Sequence, residues 1–121
     1  MLPPGVAAPD FLLKTLDGKA ASLFEPGAVV LAFLKVSCPV CQFTFPFLDR
    51  LNRNRAQGAP GIVAISQDDA GDTRAFHAEF GVALPTLLDR EEDEYPASNA
   101  YGISHVPSLF LVEADGRISW N

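Results

Sequence analysis

The sequence predicts an α/β fold, in which helices pack on both faces of a mixed β-sheet. Residues 29–35 and residues 61–66 are continuous apolar segments with the length of strands buried on both faces of a sheet. Between them, a helical pattern begins at Pro39. A strand, a crossover helix and a second strand form a parallel pair, and hairpins add antiparallel pairs, so the sheet is mixed. We expect residues 29–35 to be its central strand.

Two hairpins flank this unit. Residues 11–16 and 19–23 surround Asp17-Gly18, a pair that favours a type I′ turn between antiparallel strands. These residues predict an N-terminal β-hairpin. A second Asp-Gly pair at residues 115–116 predicts another hairpin near the end of the sequence, by the same turn chemistry.

The helix that begins at Pro39 carries Phe43 and Phe47 at helical spacing. Apolar residues four apart lie on one face of a helix, so we expect both side chains to lie in the core. The pattern predicts that this helix is ended by Gly58.

A second, shorter helix follows residues 61–66. Asp72 or Thr73 caps it and Gly81 ends it in a left-handed conformation. His77 is expected on the exposed face of this helix, and we assign it no role. Residues 96–101 are predicted to form one or two further helical turns.

Length and charge limit the function. The chain has 121 residues, 48% of them hydrophobic, which fits one domain over residues 1–121. A net charge of −6 argues against nucleic acid and anionic lipid as partners. No apolar run approaches the ~20 residues that span a bilayer, and no signal peptide is recognisable. As written the chain is expected in the cytoplasm, or in the periplasm or outside the cell if a leader was removed.

The two cysteines, Cys38 and Cys41, lie where the apolar strand ends and the Phe-rich helix begins. Residues three apart on a helix bring their β-carbons to about 5–6 Å, so this pair can form and break a disulfide. The free N–H groups and the positive dipole end at a helix start favour a thiolate on Cys38. We predict that Cys38 attacks a partner disulfide and that Cys41 resolves the mixed disulfide, without metal or bound cofactor.

Other interpretations of the cysteine pair stay open. Two structural cysteines can stand three residues apart by chance. A Cys2His2 zinc site would need His77 and His105, whose separation does not match the usual finger spacing. Two thiolates also suit copper(I).

Several motifs resemble those of the thioredoxin-like superfamily. They are Ala8-Pro9-Asp10-Phe11, the Asp17-Gly18 hairpin, Cys38-Pro39-Val40-Cys41, Phe45-Pro46, and Val106-Pro107 followed by Asp115-Gly116-Arg117-Ile118. Over nearly the whole chain the sequence is similar to the redoxin group. This group joins the TlpA/ResA-type thiol–disulfide oxidoreductases to the alkyl hydroperoxide reductase and thiol-specific antioxidant proteins. The resemblance implies a thioredoxin-like, three-layer α/β/α fold with a mixed central sheet and an N-terminal β-hairpin.

The resemblance also implies further site residues. In the family, the proline that matches Pro107 follows a cis peptide bond and lies against the cysteine pair, and the backbone of the preceding residue, here Val106, pairs with the substrate. Pro39 and Val40, inside the motif, complete the substrate-binding set. His105 should then fall near the site, where it either assists proton transfer or is a solvent-facing loop residue.

The sequence departs from the family at its proton acceptors. Thioredoxins usually have a Trp just before the first cysteine and a buried Asp six residues before it, where this chain has Ser37 and Ala32. ResA-like members carry a Glu three residues after the second cysteine, where this chain has Thr44. We therefore expect no buried carboxylate beside Cys41, and resolution as the slow step near neutral pH.

The main interpretation is a thiol–disulfide oxidoreductase that exchanges electrons with protein thiols and with a redox partner protein. The alternatives are a thiol-dependent peroxidase and a copper(I)-binding chaperone. Peroxiredoxins have Thr or Ser where Lys35 stands, and the chaperones use a wider cysteine spacing.

The family's final helix is missing from the sequence, which predicts a homodimer that covers the bare sheet face, or lowered stability.

Overall fold

The computed structural model describes residues 1–23 and 27–121. Its strands are β1 (Leu12–Thr15), β2 (Ala20–Ser22), β3 (Val29–Leu34), β4 (Gly61–Ser66), β5 (Thr86–Leu88), β6 (Ser108–Val112) and β7 (Ile118–Trp120). Its helices are α1 (Pro39–Arg53), α2 (Ala70–Phe80) and α3 (Pro96–Ala100), with a single 3₁₀ turn at Glu91–Asp93. In these described ranges, no helix is long and apolar enough to cross a membrane.

The strands form one mixed sheet in the order β2-β1-β5-β4-β3-β6-β7. β3 pairs with β4 in parallel and with β6 antiparallel, which confirms the predicted crossover and the mixed sheet. β3 is an interior strand as expected, but β4 lies in the middle. The reason is that the N-terminal hairpin joins the far side of the sheet, where β1 pairs with β5.

Both hairpins form where predicted, but their turns are not type I′. The N–H of Thr15 donates to the carbonyl of Lys19, and the N–H of Gly18 donates to the carbonyl of Thr15. Gly18 has a positive φ of 82°, whereas Asp17 does not, and a type I′ turn requires it at both positions. The second hairpin follows the same pattern around Gly116, at φ 86°. A type I turn followed by a left-handed glycine joins twisted strands equally well.

Alternate residues of β3 point to opposite faces of the sheet and support two cores. On one face, covered by α3, Phe33 and Phe110 pack edge to face at 5.8 Å, and Tyr101 joins them. On the other face, α1 and α2 pack together, with Phe45 and Phe76 edge to face at 6.3 Å. This arrangement confirms the three layers.

The expectation that Phe43 and Phe47 lie in the core is wrong. Phe43 is 84% exposed and Phe47 is 52% exposed, whereas Phe45 between them is fully buried. The buried face of α1 runs through Cys41, Phe45 and Leu48. Because each residue turns a helix by about 100°, Phe43 points away from the side that carries Phe45.

The end of α1 also differs from the prediction. The helix ends at Arg53, and Asn54 rather than Gly58 caps it. The side-chain amide of Asn54 donates to the carbonyl of Arg50 at 3.0 Å, which satisfies one of the free carbonyls of the last turn.

Neither predicted residue caps α2. The cap is Asp69, whose carboxylate accepts the N–H of Asp72 at 2.8 Å. Thr73 is instead buried, with its hydroxyl 2.8 Å from that of Ser66. Gly81 ends the helix with φ 68°, as predicted.

His77 is not on an exposed face of α2. Its side chain is half-buried, and its Nε2 lies 3.1 Å from the hydroxyl of Thr86 on β5. Burial lowers the pKa of His77, and the negative charge of Asp49 opposes this shift only in part. His77 therefore joins α2 to the sheet.

Candidate active site

Cys38 lies at the start of α1, in the turn that follows β3. It is the N-cap residue, with an extended backbone at φ −80° and ψ 116°. Its sulfur accepts the N–H of Cys41 at 3.3 Å, and its own N–H donates to the carbonyl of Lys35. Pro39 occupies the first helical position, where its missing N–H costs nothing. The predicted placement of the pair at the end of a strand and the start of a helix is confirmed.

The environment of Cys38 favours its thiolate. Partial burial opposes ionisation, but hydrogen bonds from the backbone and thiol of Cys41 and from the backbone of Val40 outweigh it and lower the pKa of Cys38. The sulfur is partly accessible to solvent. Cys38 thus combines the two properties of a nucleophilic cysteine, accessibility and a stabilised thiolate.

Cys41 has the opposite properties. It is fully buried, and burial is the main reason that its pKa rises to about 12. The backbone N–H of Lys35 offsets part of this effect, whereas the thiol and charge of Cys38 and the charge of Asp68 add to it. Cys41 therefore stays protonated near neutral pH, as expected of a resolving cysteine behind Cys38.

The loop before β6 lies against the cysteines. The Val106-Pro107 peptide bond is cis, and the thiol of Cys38 donates to the carbonyl of Val106 at 3.6 Å. The cis bond and the closeness of this loop to the cysteines were expected from the resemblance, whereas the hydrogen bond was not. His105 is exposed, and its Nδ1 lies 3.2 Å from the hydroxyl of Ser104. Within the described residues, no hydrogen bond joins His105 to either cysteine.

The expectation drawn from the motif did not include a carboxylate that acts on Cys41 through its charge. Asp68 follows β4 and is half-buried, and its Oδ2 accepts the N–H of Val36 at 2.7 Å. Its charge reaches Cys41 and helps to raise the pKa of that thiol. A sequence signal existed, because polar residues that follow neighbouring parallel strands meet at one edge of the sheet. Positions counted from the cysteines do not reveal Asp68, because it follows a different strand.

A second acidic residue that the sequence did not reveal organises the loop. Asp89 is fully buried at the end of β5, and it accepts the N–H groups of Ala97 and Ser98 at 2.9 and 2.7 Å. These donors belong to the first turn of α3, where such groups have no partner within the helix. Asp89 therefore positions the short helix that leads into the loop of Val106.

No three His, Cys, Asp or Glu side chains gather in a metal-binding arrangement within residues 1–23 and 27–121.

The two cysteines should differ strongly in alkylation. Because Cys38 is accessible and its pKa is lowered, we expect iodoacetamide to label it first in the reduced protein near neutral pH. The buried Cys41 should react at least about a hundredfold more slowly, since both its thiolate fraction and its accessibility are small. Peptide mapping by mass spectrometry checks the order. Faster labelling of Cys41 would show that the two roles are reversed.

A CxxC pair at the start of the helix that follows an interior strand, facing a cis-proline loop, defines a thioredoxin-like protein. A model of the AhpC/TSA family matches residues 4–121, and the chain belongs to this family. Within it, the chain resembles the redoxin-type thiol–disulfide oxidoreductases, as the sequence motifs indicated.

Three known proteins illustrate the likeness. The chain is 27% identical over 117 residues to the thiol-disulfide oxidoreductase ResA of Geobacillus thermodenitrificans, covering 94% of this chain and 66% of that protein. It is 29% identical over 121 residues to the thioredoxin-like protein YneN of Bacillus subtilis, covering 94% and 68%. The structure of the thioredoxin domain of a thiol-disulfide oxidoreductase from Bacteroides vulgatus matches with a TM-score of 0.86 at 25% identity, covering 99% and 88%. The chain thus spans slightly less than two thirds of the length of ResA.

Proposed function

We propose that the protein is a thiol–disulfide oxidoreductase that acts on protein thiols and disulfides, and that residues 1–121 form its catalytic domain. One observation carries this proposal. An accessible sulfur whose pKa is lowered, Cys38, is held by the N–H of a buried, protonated Cys41. This asymmetry suits a two-step exchange. One cysteine must be accessible to attack the partner disulfide, and the other must stay protonated until the mixed disulfide has formed.

The exchange transfers two electrons, because one disulfide bond breaks and another forms. The Cys38 thiolate attacks one sulfur of the partner disulfide, that bond breaks, and the first partner thiolate leaves and takes up a proton. Cys41 then loses its proton and attacks the sulfur of Cys38, so the mixed disulfide breaks and the second partner thiol leaves. The partner is reduced and the Cys38–Cys41 pair is oxidised, and the reverse sequence oxidises a partner dithiol. Neither direction requires a metal or an organic cofactor.

The loop of Val106 supports a binding role in this exchange. The carbonyl of Val106 lies 3.6 Å from the attacking sulfur, so a partner strand that pairs with this backbone would bring its disulfide to Cys38. Pro39 and Val40, which follow Cys38 in the chain, are exposed. We include Pro107 in this binding set as the next residue of the loop, and His105 as a solvent-side proton carrier.

The test uses insulin as a disulfide substrate and dithiothreitol as the reductant. The wild-type protein is expected to accelerate insulin reduction, Cys38→Ser to return the rate to that of dithiothreitol alone, and Cys41→Ser to accumulate a covalent adduct on Cys38. Mass spectrometry identifies the adduct. Absence of both the acceleration and the adduct would contradict the proposal.

Two further measurements distinguish the alternative activities. Rapid consumption of hydrogen peroxide by the reduced protein, without insulin reduction, would assign a thiol peroxidase instead. Stoichiometric copper(I) binding that requires both cysteines, again without insulin reduction, would assign a chaperone.

A further inference from the structure

The outward face of α1 carries a stripe of exposed apolar side chains. Val40 is 58% exposed and Leu51 is 49% exposed, and Phe43 and Phe47 lie between them. Steps of three, four and four residues place all four side chains on one face of the helix. We call these four residues the α1 stripe. It begins inside the CxxC motif and extends about 16 Å along the helix axis.

Within residues 39–53, the α1 stripe has no exposed acidic neighbour on its own helix. The one carboxylate of α1, Asp49, is buried, and it pairs with Arg53 at 2.9 Å. The guanidinium of Arg50 lies 5.9 Å from the centre of the Phe47 ring. Arg55 is exposed two residues beyond the helix. Arg50 is therefore the basic side chain available beside the stripe, because Arg53 already pairs with Asp49 and the guanidinium of Arg55 donates to Asn52.

The charge is different near the start of the stripe. On α2, which packs beside α1, Asp72 and Glu79 are exposed close to Gln42. A partner would therefore meet carboxylates near the cysteines and the guanidinium of Arg50 about two turns further along the helix. This distribution of charge favours one orientation of a docked segment and one pattern of charged residues along it.

The size of the stripe favours a transient partner over a stable second copy. Its four side chains expose on the order of 400 Å² of apolar surface. A stable interface buries about 800 Å² on each partner, whereas weak redox encounters bury less. A second copy seated on the stripe would also cover Val40, and with it the approach to Cys38.

We propose that the α1 stripe docks an acidic amphipathic segment of the redox partner, with the partner's apolar side chains on Phe43 and Phe47 and its carboxylates at Arg50. The inference rests on the thiol–disulfide exchange proposed above. A partner whose sulfur is joined to Cys38 necessarily lies beside Val40, so a segment that continues from its cysteine can follow the stripe. Such docking would select partners without altering the chemistry at Cys38.

The test uses two short synthetic peptides, each with one cysteine activated as a pyridyl disulfide. Both carry leucines at helical spacing, and they differ only in having Glu or Lys between these leucines. The rate of thiopyridone release with the reduced Cys41→Ser protein is divided by its rate with dithiodipyridine, which is too small to reach the stripe. This ratio isolates docking from the reactivity of Cys38.

We expect the ratio for the Glu peptide to exceed that for the Lys peptide by about tenfold at low salt, and the difference to shrink as salt is added. Phe43→Gln with Phe47→Gln should lower the ratio for the Glu peptide about tenfold, as expected for loss of buried aromatic contacts. Arg50→Glu should lower it for the Glu peptide and raise it for the Lys peptide. Leu12→Gln, which changes an equally exposed apolar side chain on β1, is the matched control and should leave both ratios unchanged.

Equal ratios for both peptides, or ratios that the stripe variants leave unchanged, would overturn the proposal.

Leu51→Gln supplies a second variant, about 15 Å along the helix from Cys41 and thus too far to perturb the thiolate. Peptides with Ser in place of Cys measure docking by fluorescence anisotropy without any chemistry. The docking proposal therefore stays testable even if disulfide exchange itself fails, which the dithiodipyridine rate alone would reveal. A concentration-dependent dimer in sedimentation that is lost in the Phe43→Gln, Phe47→Gln variant would assign the stripe to a second copy and also overturn the proposal.

Discussion

Release of a bound partner by Cys41 is expected to accelerate about tenfold for each pH unit between roughly pH 7 and pH 9. Only the thiolate of Cys41 can break the mixed disulfide, and its pKa is raised to about 12 in the dithiol form. Well below the pKa, the thiolate fraction rises tenfold per unit. In the mixed disulfide Cys38 carries no charge, so its contribution to this pKa disappears. Burial, the largest cause, remains.

The measurement follows the reduced protein after mixing with excess dithiobis(nitrobenzoate). The first phase of thionitrobenzoate release reports the attack by Cys38, and the second reports its displacement by Cys41. Cys41→Ser is the control and should show the first phase alone. A second phase that does not change with pH over this range would mean that the thiolate of Cys41 does not limit release.

Asp68→Asn separates the two effects that this carboxylate can have on release. Its charge raises the pKa of Cys41, so its removal should increase the thiolate fraction and speed the second phase near pH 7 by a few-fold. The asparagine oxygen can still accept the N–H of Val36, which preserves the local fold. A slower second phase would identify Asp68 as the acceptor of the Cys41 proton instead.

Phe45→Ala is expected to lower the free energy of unfolding by about 3–5 kcal/mol, the usual cost of a large cavity in a core. The Phe45 ring is fully buried between α1, α2 and the sheet, and it packs edge to face on Phe76. Phe43→Ala is the matched control on the same helix. It should change the free energy of unfolding by less than about 0.5 kcal/mol, because its ring is 84% exposed.

Chemical denaturation of the reduced proteins by guanidinium chloride checks both values. Similar losses for the two variants would mean that the side of α1 that faces the sheet has been misassigned. It would also remove the basis for the α1 stripe.

The sequence by itself determined the order of the elements and the position of the cysteine pair. Residues 61–66 form a strand over the predicted range, and Cys38 caps a helix that begins at Pro39, as its pattern indicated. These features depend on local physics. Apolar runs, proline at the first helical position and Asp-Gly turns limit the backbone within a few residues.

The buried side of α1 could not be determined from the sequence. Two apolar series share this helix, one through Cys41, Phe45 and Leu48, and the other through Phe43 and Phe47. Helical spacing shows which side chains share a face, but it does not show which face meets the sheet. The packing of α1 against α2 and β3 determines which face of the helix is buried.

The carboxylates near the site likewise depended on tertiary structure. Asp68 reaches the cysteines because the parallel register sets Leu34 of β3 opposite Ser66 of β4, so the two strands end side by side. Asp89 reaches the start of α3 only after the chain has passed through the 3₁₀ turn at Glu91–Asp93. A motif specifies the chemistry of two sulfurs through neighbours in sequence, whereas the burial that raises the pKa of Cys41 and the charge of Asp68 that adds to it come from elements that meet only in the folded protein.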